Sequence, residues 1–475
     1  MKPRPYQDRD ISRIRDSFSR VKRVVYVACC GSGKTHVFTT IAKGVIRRNK
    51  SAVIMAHRKE LIMQCSDKLR GLGVPHGIIK AGIDPEYHLP VQVASTQTLV
   101  KRTEHINPDL LVGDEGHHAQ ARTVQALIKN FPEAYLLLVT ATPVGLNKNH
   151  VDEMIVGPTV KEMVEDGYLV ETHVYAPPVI ADLSRVDYNN EDDLEREMNK
   201  RRVTGDAVDH YARIAPGMSA IVTCVNVKHA HAVAAQFRES GWDFRAIDGT
   251  MDDSVRDRLM EDFRAGLFHG LCQCDIVGEG TDVPNCRVMI KLRPTNSHIV
   301  NVQNDGRVNR TDYAAGMPLD TREQRKAAIA ASSKPFAVVI DHVANYRFHG
   351  WPDDEFDYSL DAAPKSRCTE AAFYVSQCQN CYRAFRGVAC PSCQTVREIK
   401  DRKILYTEGQ LERIKKEDAA AAKVAEERLK KQKEIDRRAA KTLPELTAFA
   451  VKYQYENPEA WARNWQQLRN KHRGR

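Results

Sequence analysis

A glycine-rich stretch near the N-terminus, ACCGSGKT at Ala28–Thr35, constrains this chain more than any other feature. It follows the apolar, β-branched run VVYVA, which predicts a buried strand, and it opens a helix with apolar periodicity. Loops of this pattern surround phosphate groups with backbone N–H donors and use the positive end of the following helix. The fold must therefore place a strand, this loop and a helix in succession around a phosphate site.

Single residues of this loop have predicted roles, although Ala28 stands where the common pattern has its first glycine. The backbone of Gly31, Ser32 and Gly33 would surround the phosphates. Lys34 would bind the β- and γ-phosphates of a nucleotide, and the Thr35 hydroxyl would hold Mg²⁺. The alternative is a chance glycine-rich turn, which the position between a strand and a helix disfavours.

The rest of the body predicts an α/β fold class with two parallel sheets. Apolar runs that predict strands alternate with helical patterns, and such alternation is typical of crossover connections. The pattern occurs twice, so we expect domains at 1–180 and 200–350, a linker between them and a ligand cleft where they meet. The runs are VVYVA, SAVIMA, VQVAST, DLLVG and AYLLLVTA in the first half, and SAIVTCV, DFRAID, GLCQC, RVMIKL and FAVVID in the second.

The stretch DEGHH, Asp114–His118, admits three interpretations. Asp114 ends the predicted strand DLLVG, and a parallel sheet would bring it to the same edge as the phosphate loop. It could then complete the Mg²⁺ shell while Glu115 polarises the attacking water, an arrangement for ATP hydrolysis. The residue types also suit a zinc or iron cluster, and a polar turn is possible.

The order and spacing of the motifs resemble superfamily 2 helicases of the DEAD/DEAH-box-related class over about residues 3–350. The matching motifs are RPYQ, ACCGSGKT, AHRKEL, ASTQTL, DEGHH and TATP, then VTCVNVKHA, VGEGTDVP and QNDGRVNR. IDHVANYRFHGWPDDEFDYSLD at 340–361 resembles a stretch of phage- and prophage-type members, and it could also be simply the last strand and edge of the second domain. The resemblance implies two RecA-like domains in tandem that close on ATP.

The resemblance also implies roles for single residues. Gln7 would read adenine, and Arg307 and Arg310 would face the γ-phosphate from the second domain, with Arg310 as the arginine finger. Three further residues would belong to the nucleotide site: His117, Gly280 and Asp282. Six would contact the nucleic-acid backbone: Arg58, Ser95, Thr96, Thr98, Asn226 and Lys228. These six could instead be ordinary surface, strand-end or helix-start polar residues.

A second metal signal lies outside the helicase motifs. Cys378, Cys381, Cys390 and Cys393 form two C-x₂-C pairs separated by eight residues. Four thiolates in two such turns are typical of a closed structural Zn²⁺ site, so we predict a zinc ribbon at 375–397. The Tyr, Phe and Arg residues between the pairs could cover the metal or contact nucleic acid.

The C-terminal region is basic. Of the net charge of +9, residues 399–475 carry +8, from 20 basic and 12 acidic residues. We expect a helical tail at 400–475, with one long charged helix at 408–441. Its charge suits a nucleic-acid partner, but a solvated charged helix fits equally well.

The composition predicts a cytoplasmic protein, in a bacterial cell or in the host if phage-encoded. No apolar run approaches the roughly 20 residues that span a bilayer, so no membrane partner is expected. The N-terminus MKPRPYQDRD lacks the apolar core of a secretory signal. Cysteines scattered through apparent core segments indicate free thiols in a reducing compartment.

The leading hypothesis is an ATP-dependent helicase or translocase that moves on or unwinds nucleic acid, DNA favoured over RNA, in replication, recombination or repair. Its C-terminal region could contact a replication or repair protein. The alternatives are a nucleotide-switched clamp or remodelling ATPase without strand separation, an RNA helicase, and a metalloenzyme centred on DEGHH.

Overall fold

The structure is a computed structural model of the 475-residue chain. It describes residues 3–116, 122–176, 201–274, 283–343 and 345–360, together with these short stretches further on: 365–366, 375–378, 383–386, 389–395, 436–437, 440, 442–453, 459, 462–463 and 466. The chain divides into two units, Met1–Glu398 and Ile399–Arg475.

The first domain is a parallel sheet of seven strands in the order β3-β4-β2-β5-β6-β1-β7. Its strands are β1 (Arg23–Val27), β2 (Ala52–Ala56), β3 (His76–Ile79), β4 (Val91–Ser95), β5 (Leu110–Asp114), β6 (Tyr135–Thr140) and β7 (Glu153–Val156). Its helices are α1 (Pro5–Phe18), α2 (Lys34–Ile46), α3 (Lys59–Gly71), α4 (Thr96–Leu99), α5 (Arg122–Asn130) and α6 (Val160–Glu165), with a 3₁₀ turn at Thr103–His105.

The second domain is a parallel sheet of six strands in the order β10-β11-β9-β12-β13-β8. Its strands are β8 (Thr172–Tyr175), β9 (Ala220–Thr223), β10 (Phe244–Ile247), β11 (Gly270–Gln273), β12 (Val288–Lys291) and β13 (Ala337–Asp341). Its helices are α7 (Arg201–Ile214), α8 (Val227–Glu239), α9 (Asp253–Arg264), α10 (His298–Val308), α11 (Arg322–Ala330) and α12 (Asn345–His349).

Both sheets are covered on both faces, which explains their continuous apolar strands. Along β1, Val24 and Tyr26 belong to one core cluster, whereas Val25 and Val27 belong to the cluster on the other face. Successive side chains of a strand point to opposite faces, so a strand buried on both sides must be apolar throughout. The predicted fold class, two RecA-like parallel sheets in tandem, is confirmed.

The domain crossover differs in place from the sequence-based boundary at residue 180. β8 pairs with β13 in the second sheet, with Ala337 beside Thr172. The chain therefore enters the second domain before residue 172. The sequence of β8 is short and only partly buried, so it carries no period that would assign it to either sheet.

Small elements follow the second sheet. The antiparallel pairs are β14 (Phe356–Asp357) with β15 (Lys365–Ser366), and β16 (Val375–Gln377) with β17 (Ala384–Arg386). In the second unit, helix α13 (Leu443–Lys452) buries Leu446 and Phe449 with Ala440 and Ala462. The predicted long helix at 408–441 lies almost wholly outside the described residues.

Among the residues that the structure describes, no helix has both the length and the apolar character needed to cross a membrane.

Candidate functional site

The phosphate loop connects β1 to α2. Gly31 and Gly33 have φ of 81° and 76°, the left-handed region that glycine adopts without a steric cost. Gly33 is the N-cap of α2, and Lys34 and Thr35 begin the helix. The Lys34 ammonium donates to the carbonyl oxygens of Ala28 at 3.2 Å and Cys29 at 3.4 Å. The loop therefore has the curvature and the helix N-terminus that phosphate binding requires.

The acid pair lies on the same edge of the sheet. β6 separates β1 from β5, with Val27 beside Thr140 and Asp114 beside Val139. The C-terminal ends of three adjacent strands therefore bring the phosphate loop, Thr140 and Asp114 together. This is the arrangement that the parallel-sheet argument predicted for Asp114.

Burial dominates the electrostatics of the acid pair. Burial and then the charge of Glu115 raise the pKa of Asp114, Lys34 acts in the opposite direction, and the net pKa is about 7. Burial also acts to lower the pKa of Lys34, but the neighbouring Cys30, Glu115 and Asp114 outweigh it, so that pKa lies above its ordinary value. A divalent cation fits beside these groups because it would stabilise the ionised carboxylates.

Glu115 has an unusual backbone. Its φ is 52°, in the left-handed region that glutamate seldom adopts, and its N–H donates to Asp114 Oδ1 at 3.0 Å. Gly113 and Gly116 flank the pair where Leu138 packs: a Cβ at Gly113 would lie 2.8 Å from Leu138 Cδ2. The two glycines thus tighten the packing around the acids.

The N-terminal helix α1 contacts the phosphate loop through two side chains. Gln7 Nε2 donates to Ser32 O at 3.0 Å, and Gln7 Oε1 accepts from Arg4 N at 2.9 Å. Tyr6 OH donates to the same Ser32 carbonyl at 2.7 Å, a contact that the sequence reasoning missed although Tyr6 lies within RPYQ. The adenine-reading role of Gln7 stays a prediction.

The second domain contacts the phosphate loop through α10 and through Arg310, two residues beyond that helix. A Cβ at Gly31 would lie 2.8 Å from Leu169 Cδ2 and 3.7 Å from Arg310 Cγ. At Gly306 a Cβ would overlap Cβ of Cys30 and lie 2.9 Å from its Sγ. Arg310 is thus close to the loop from across the cleft, in keeping with its predicted role.

A buried polar triad fixes α10 to its sheet. Lys291, at the end of β12, pairs with Asp305 at 2.7 Å and donates to Asn301 at 2.8 Å. All three are almost fully buried, so removal of one partner would leave an uncompensated charge or polar group. Asn301 and Asp305 lie in the same helix as Arg307, which is 9% exposed.

The candidate nucleic-acid residues follow strands other than β1. Arg58 is the N-cap of α3 after β2, and Ser95 and Thr96 lie at the end of β4, nearly buried. Thr98 lies half-buried in α4. They share the sheet edge of the phosphate loop but lie on the far side of β5.

In the second domain Asn226 is the N-cap of α8, and its Oδ1 accepts from His229 N at 2.8 Å. The helix-start interpretation therefore describes Asn226, which does not exclude a further contact. Lys228 is exposed. Three predicted nucleotide-site residues lie outside the described residues: His117, Gly280 and Asp282.

Three of the four predicted zinc ligands lie together. The sulfur atoms of Cys378, Cys390 and Cys393 are within 4.8 Å of one another, and those of Cys378 and Cys393 are 3.4 Å apart. Tetrahedral zinc with Zn–S of about 2.3 Å places its sulfurs about 3.8 Å apart, so the donor set fits. Cys381 lies outside the described residues.

The cysteine cluster is attached to the edge of the second sheet. Arg383, beside β17, pairs with Glu171 at 3.1 Å and forms an antiparallel bridge with Tyr175 of β8. The Arg383 guanidinium also donates to Ser392 Oγ at 2.8 Å, and Ser392 lies between Cys390 and Cys393 in the sequence.

Comparisons with known proteins cover both domains. Residues 1–145 match the family model described as type III restriction enzyme, res subunit, and residues 204–312 match the helicase conserved C-terminal domain. These matches carry the phosphate loop, the acid pair and the two arginines. The chain is a superfamily 2 helicase.

Among curated relatives of this helicase is a 51.5 kDa protein of Lactococcus phage isolate 7-9, 29% identical over 91% of the chain and 92% of the relative. A protein named as the mitochondrial ATP-dependent helicase irc3 of Schizosaccharomyces pombe is 29% identical over 60% of the chain and 51% of the relative. The chain thus spans nearly the whole phage protein and about half of the yeast one.

Solved structures share the helicase fold. An HsdR subunit fragment of a type I restriction enzyme from Vibrio vulnificus is 18% identical with a TM-score of 0.56, over 76% of the chain and 70% of that structure. The type ISP restriction-modification enzyme LlaBIII, solved bound to DNA, is 17% identical with a TM-score of 0.53, over 72% of the chain and 28% of that structure. The family matches and the phage relative confirm the resemblance to ATP-hydrolysing superfamily 2 helicases of phage type.

Proposed function

We propose that this helicase couples ATP hydrolysis to movement on DNA, with the nucleotide between the phosphate loop and α10. The observation that carries the proposal is the position of Arg310: its stem lies 3.7 Å from a Cβ placed at Gly31, although the two residues belong to different domains. An arginine from the opposite domain stabilises the charge of the transferred phosphoryl group only when the cleft is closed. Hydrolysis is thereby coupled to domain movement.

Single residues then have distinct tasks. Lys34 and the backbone at Gly31–Gly33 bind the phosphates, while Thr35 and Asp114 hold Mg²⁺. Glu115 orients and polarises the attacking water, and Arg307 and Arg310 stabilise the charge on the γ-phosphate. When bound, Mg²⁺ would neutralise charge that develops on the phosphate oxygens.

DNA is favoured over RNA because the first domain matches the model of a restriction enzyme subunit. Arg58, Ser95, Thr96 and Thr98 would contact its backbone from the first domain, and Asn226 and Lys228 from the second. Phosphate contacts position a strand without reading its sequence, so we expect little sequence preference. A role in replication, recombination or repair, and a cytoplasmic site of action, remain proposals from the sequence.

The cysteine cluster is proposed to hold Zn²⁺ as a structural ion. Four thiolates leave no coordination position for water, so the ion would supply folding energy and no chemistry. The attachment of Arg383 to β8 supports a role in stabilising the edge of the second sheet.

Steady-state ATP hydrolysis with single-stranded DNA, duplex DNA, forked DNA and RNA tests the proposed function. We expect DNA to stimulate turnover, and Lys34→Ala to remove both basal and stimulated rates. Stimulation by RNA alone would contradict the choice of DNA, and no stimulation by any nucleic acid would contradict the motor.

A strand-displacement assay on the forked DNA separates the two kinds of motor. Displacement that requires ATP indicates a helicase in the strict sense. Hydrolysis without displacement indicates translocation or a nucleotide-switched clamp.

A further inference from the structure

Residues 351–360, here called the strap, leave the second domain after α12. Phe356, Tyr358 and Leu360 are half-buried, whereas the intervening Asp357 and Ser359 are exposed. Alternation of this kind is typical of an extended segment with one face against the protein. The strap lies within the stretch 340–361 that resembles phage- and prophage-type helicases, and the sequence assigns it no role in ATP binding or hydrolysis.

The buried face of the strap contacts the first domain. Tyr358 and Leu360 pack against the core cluster that contains Val25 and Val27 of β1, the strand that ends in the phosphate loop. Burial raises the pKa of Tyr358 above its ordinary value, and Cys30 is the next cause. The phenol ring is therefore enclosed beside the loop that would hold the phosphates.

The strap also contacts the start of α10. The rings of Phe356 and His298, the first residue of α10, are 4.4 Å apart between centroids, and Phe356 and Tyr358 stack at 6.2 Å. At the start of the strap, Trp351 N donates a hydrogen bond to Asp354 Oδ2 at 2.8 Å. A continuous series of ring contacts thus runs from the first-domain core to the helix that contains Arg307.

A small cavity of about 80 Å³ lies where the three parts meet. Its walls include residues from the phosphate loop, from α10 and from the strap: Cys29, Cys30, Gly306, Asn309, Phe356 and Tyr358. The strap therefore closes one side of the junction between the two domains, beside the contact of Gly306 with Cys30.

We infer that Tyr358 and Phe356 are positioning residues for ATP hydrolysis, which hold α10 against the first domain so that Arg307 and Arg310 reach the nucleotide. This inference rests on the proposed function. The interdomain crossing before β8 already joins the domains near Leu169. The strap adds a second connection between the domains, at the opposite end of α10. It therefore restricts rotation of α10 about the first connection near Leu169.

Alanine variants at the two rings test the inference. In Tyr358→Ala and Phe356→Ala we expect kcat for ATP to fall about tenfold while KM for ATP changes by less than about twofold, because a displaced arginine weakens transition-state contacts and leaves the phosphate loop intact. Tyr358→Phe retains the ring and should keep nearly the full rate. Ser359→Ala, on the exposed face of the same segment, is the matched control.

Hydrogen exchange of the nucleotide-free protein supplies a readout that does not depend on hydrolysis. We expect faster exchange in both alanine variants at 28–35 and at 298–309, with no change in β2. Unchanged exchange and kcat in both variants would overturn the inference, as would uniformly faster exchange through both sheets. A wild-type protein without nucleic-acid-stimulated hydrolysis would refute the proposed function, whereas the exchange result would still report whether the strap holds α10.

Discussion

At the residue scale, Glu115 combines a strained backbone with a position directly after Asp114. Non-glycine residues in the left-handed region often mark functional sites, because the surrounding structure must hold them there. For Glu115→Gln we expect ATP binding to be retained and turnover to fall about 10²- to 10⁴-fold, since the amide cannot act as a base. Equilibrium nucleotide binding beside steady-state hydrolysis measures both. Full turnover would exclude Glu115 from the mechanism.

Gly306 offers a second test at the residue scale. Alanine at this position would place its Cβ onto Cβ of Cys30 and push α10 away from the phosphate loop. We expect hydrolysis to fall about 10- to 100-fold through misplacement of the arginines. Alanine stabilises a helix by about 1 kcal/mol relative to glycine, so weakening of the helix could not account for the loss of hydrolysis.

The control for Gly306→Ala is Gly71→Ala. Gly71 is the exposed last residue of α3, and apart from its chain neighbours and the backbone of its own helix no atom of the described residues lies within 4 Å of the point where an alanine Cβ would sit. This variant should hydrolyse ATP at the wild-type rate. Equal rates for the two variants would mean that the contact between Gly306 and Cys30 has no part in hydrolysis.

At the element scale, the cysteine cluster makes a prediction about metal content. Cys390→Ser should lose tightly bound zinc, because replacement of one buried thiolate in a four-ligand site removes a charge as well as a ligand. Elemental analysis of the purified variant measures this. Cys274→Ser, at a cysteine far from the cluster in sequence, should keep the wild-type content, and one equivalent retained in Cys390→Ser would contradict the zinc site.

The elements also show where sequence reasoning succeeds. The central strands were predictable because burial on both faces demands an unbroken apolar run, as in β2 and β6. The short strands β3, β7 and β8 were not, because four residues are too few to establish a period in the sequence. Their places depend on neighbouring strands that are distant in the chain.

At the scale of the whole molecule, buried histidines make stability depend on pH. Burial, and then the charge of His210, lowers the pKa of His342 from 6.5 to about 3. Below pH 6.5 the unfolded chain therefore takes up a proton that the folded protein excludes. The free energy of unfolding should fall by up to about 1.4 kcal/mol per pH unit as the pH decreases from 6.5 toward 3.

Urea unfolding at pH 7.5, 6.5 and 5.5 measures this dependence. His342→Leu removes the titrating ring and should flatten the decline below pH 6.5. His298, whose pKa burial lowers to about 4, contributes a remaining slope in the same direction. An identical slope in the variant and the wild type would contradict the assignment to His342.

As with the strands, some residues of the candidate site could be predicted from the sequence and others could not. Lys34, Asp114 and the cysteine pairs were recognisable because their chemistry is local: a turn, a strand end and a two-residue spacing. Leu169, Tyr6 and Tyr358 were not, because each contacts the phosphate loop or its supporting strand from another element. No local period or spacing distinguishes such residues from ordinary packing residues.

The sequence alone determined the alternation of strands and helices, the phosphate loop, the acid that accompanies it and the family, because each depends on short-range pattern. Only the tertiary structure decided that β8 joins the second sheet, that Gly306 packs on Cys30 and that the strap lies beside the phosphate loop. These contacts depend on the complementary shapes of segments that are far apart in the chain. Close packing determines which of these segments contact each other. Those contacts exist only in the folded chain, where the two domains lie against each other.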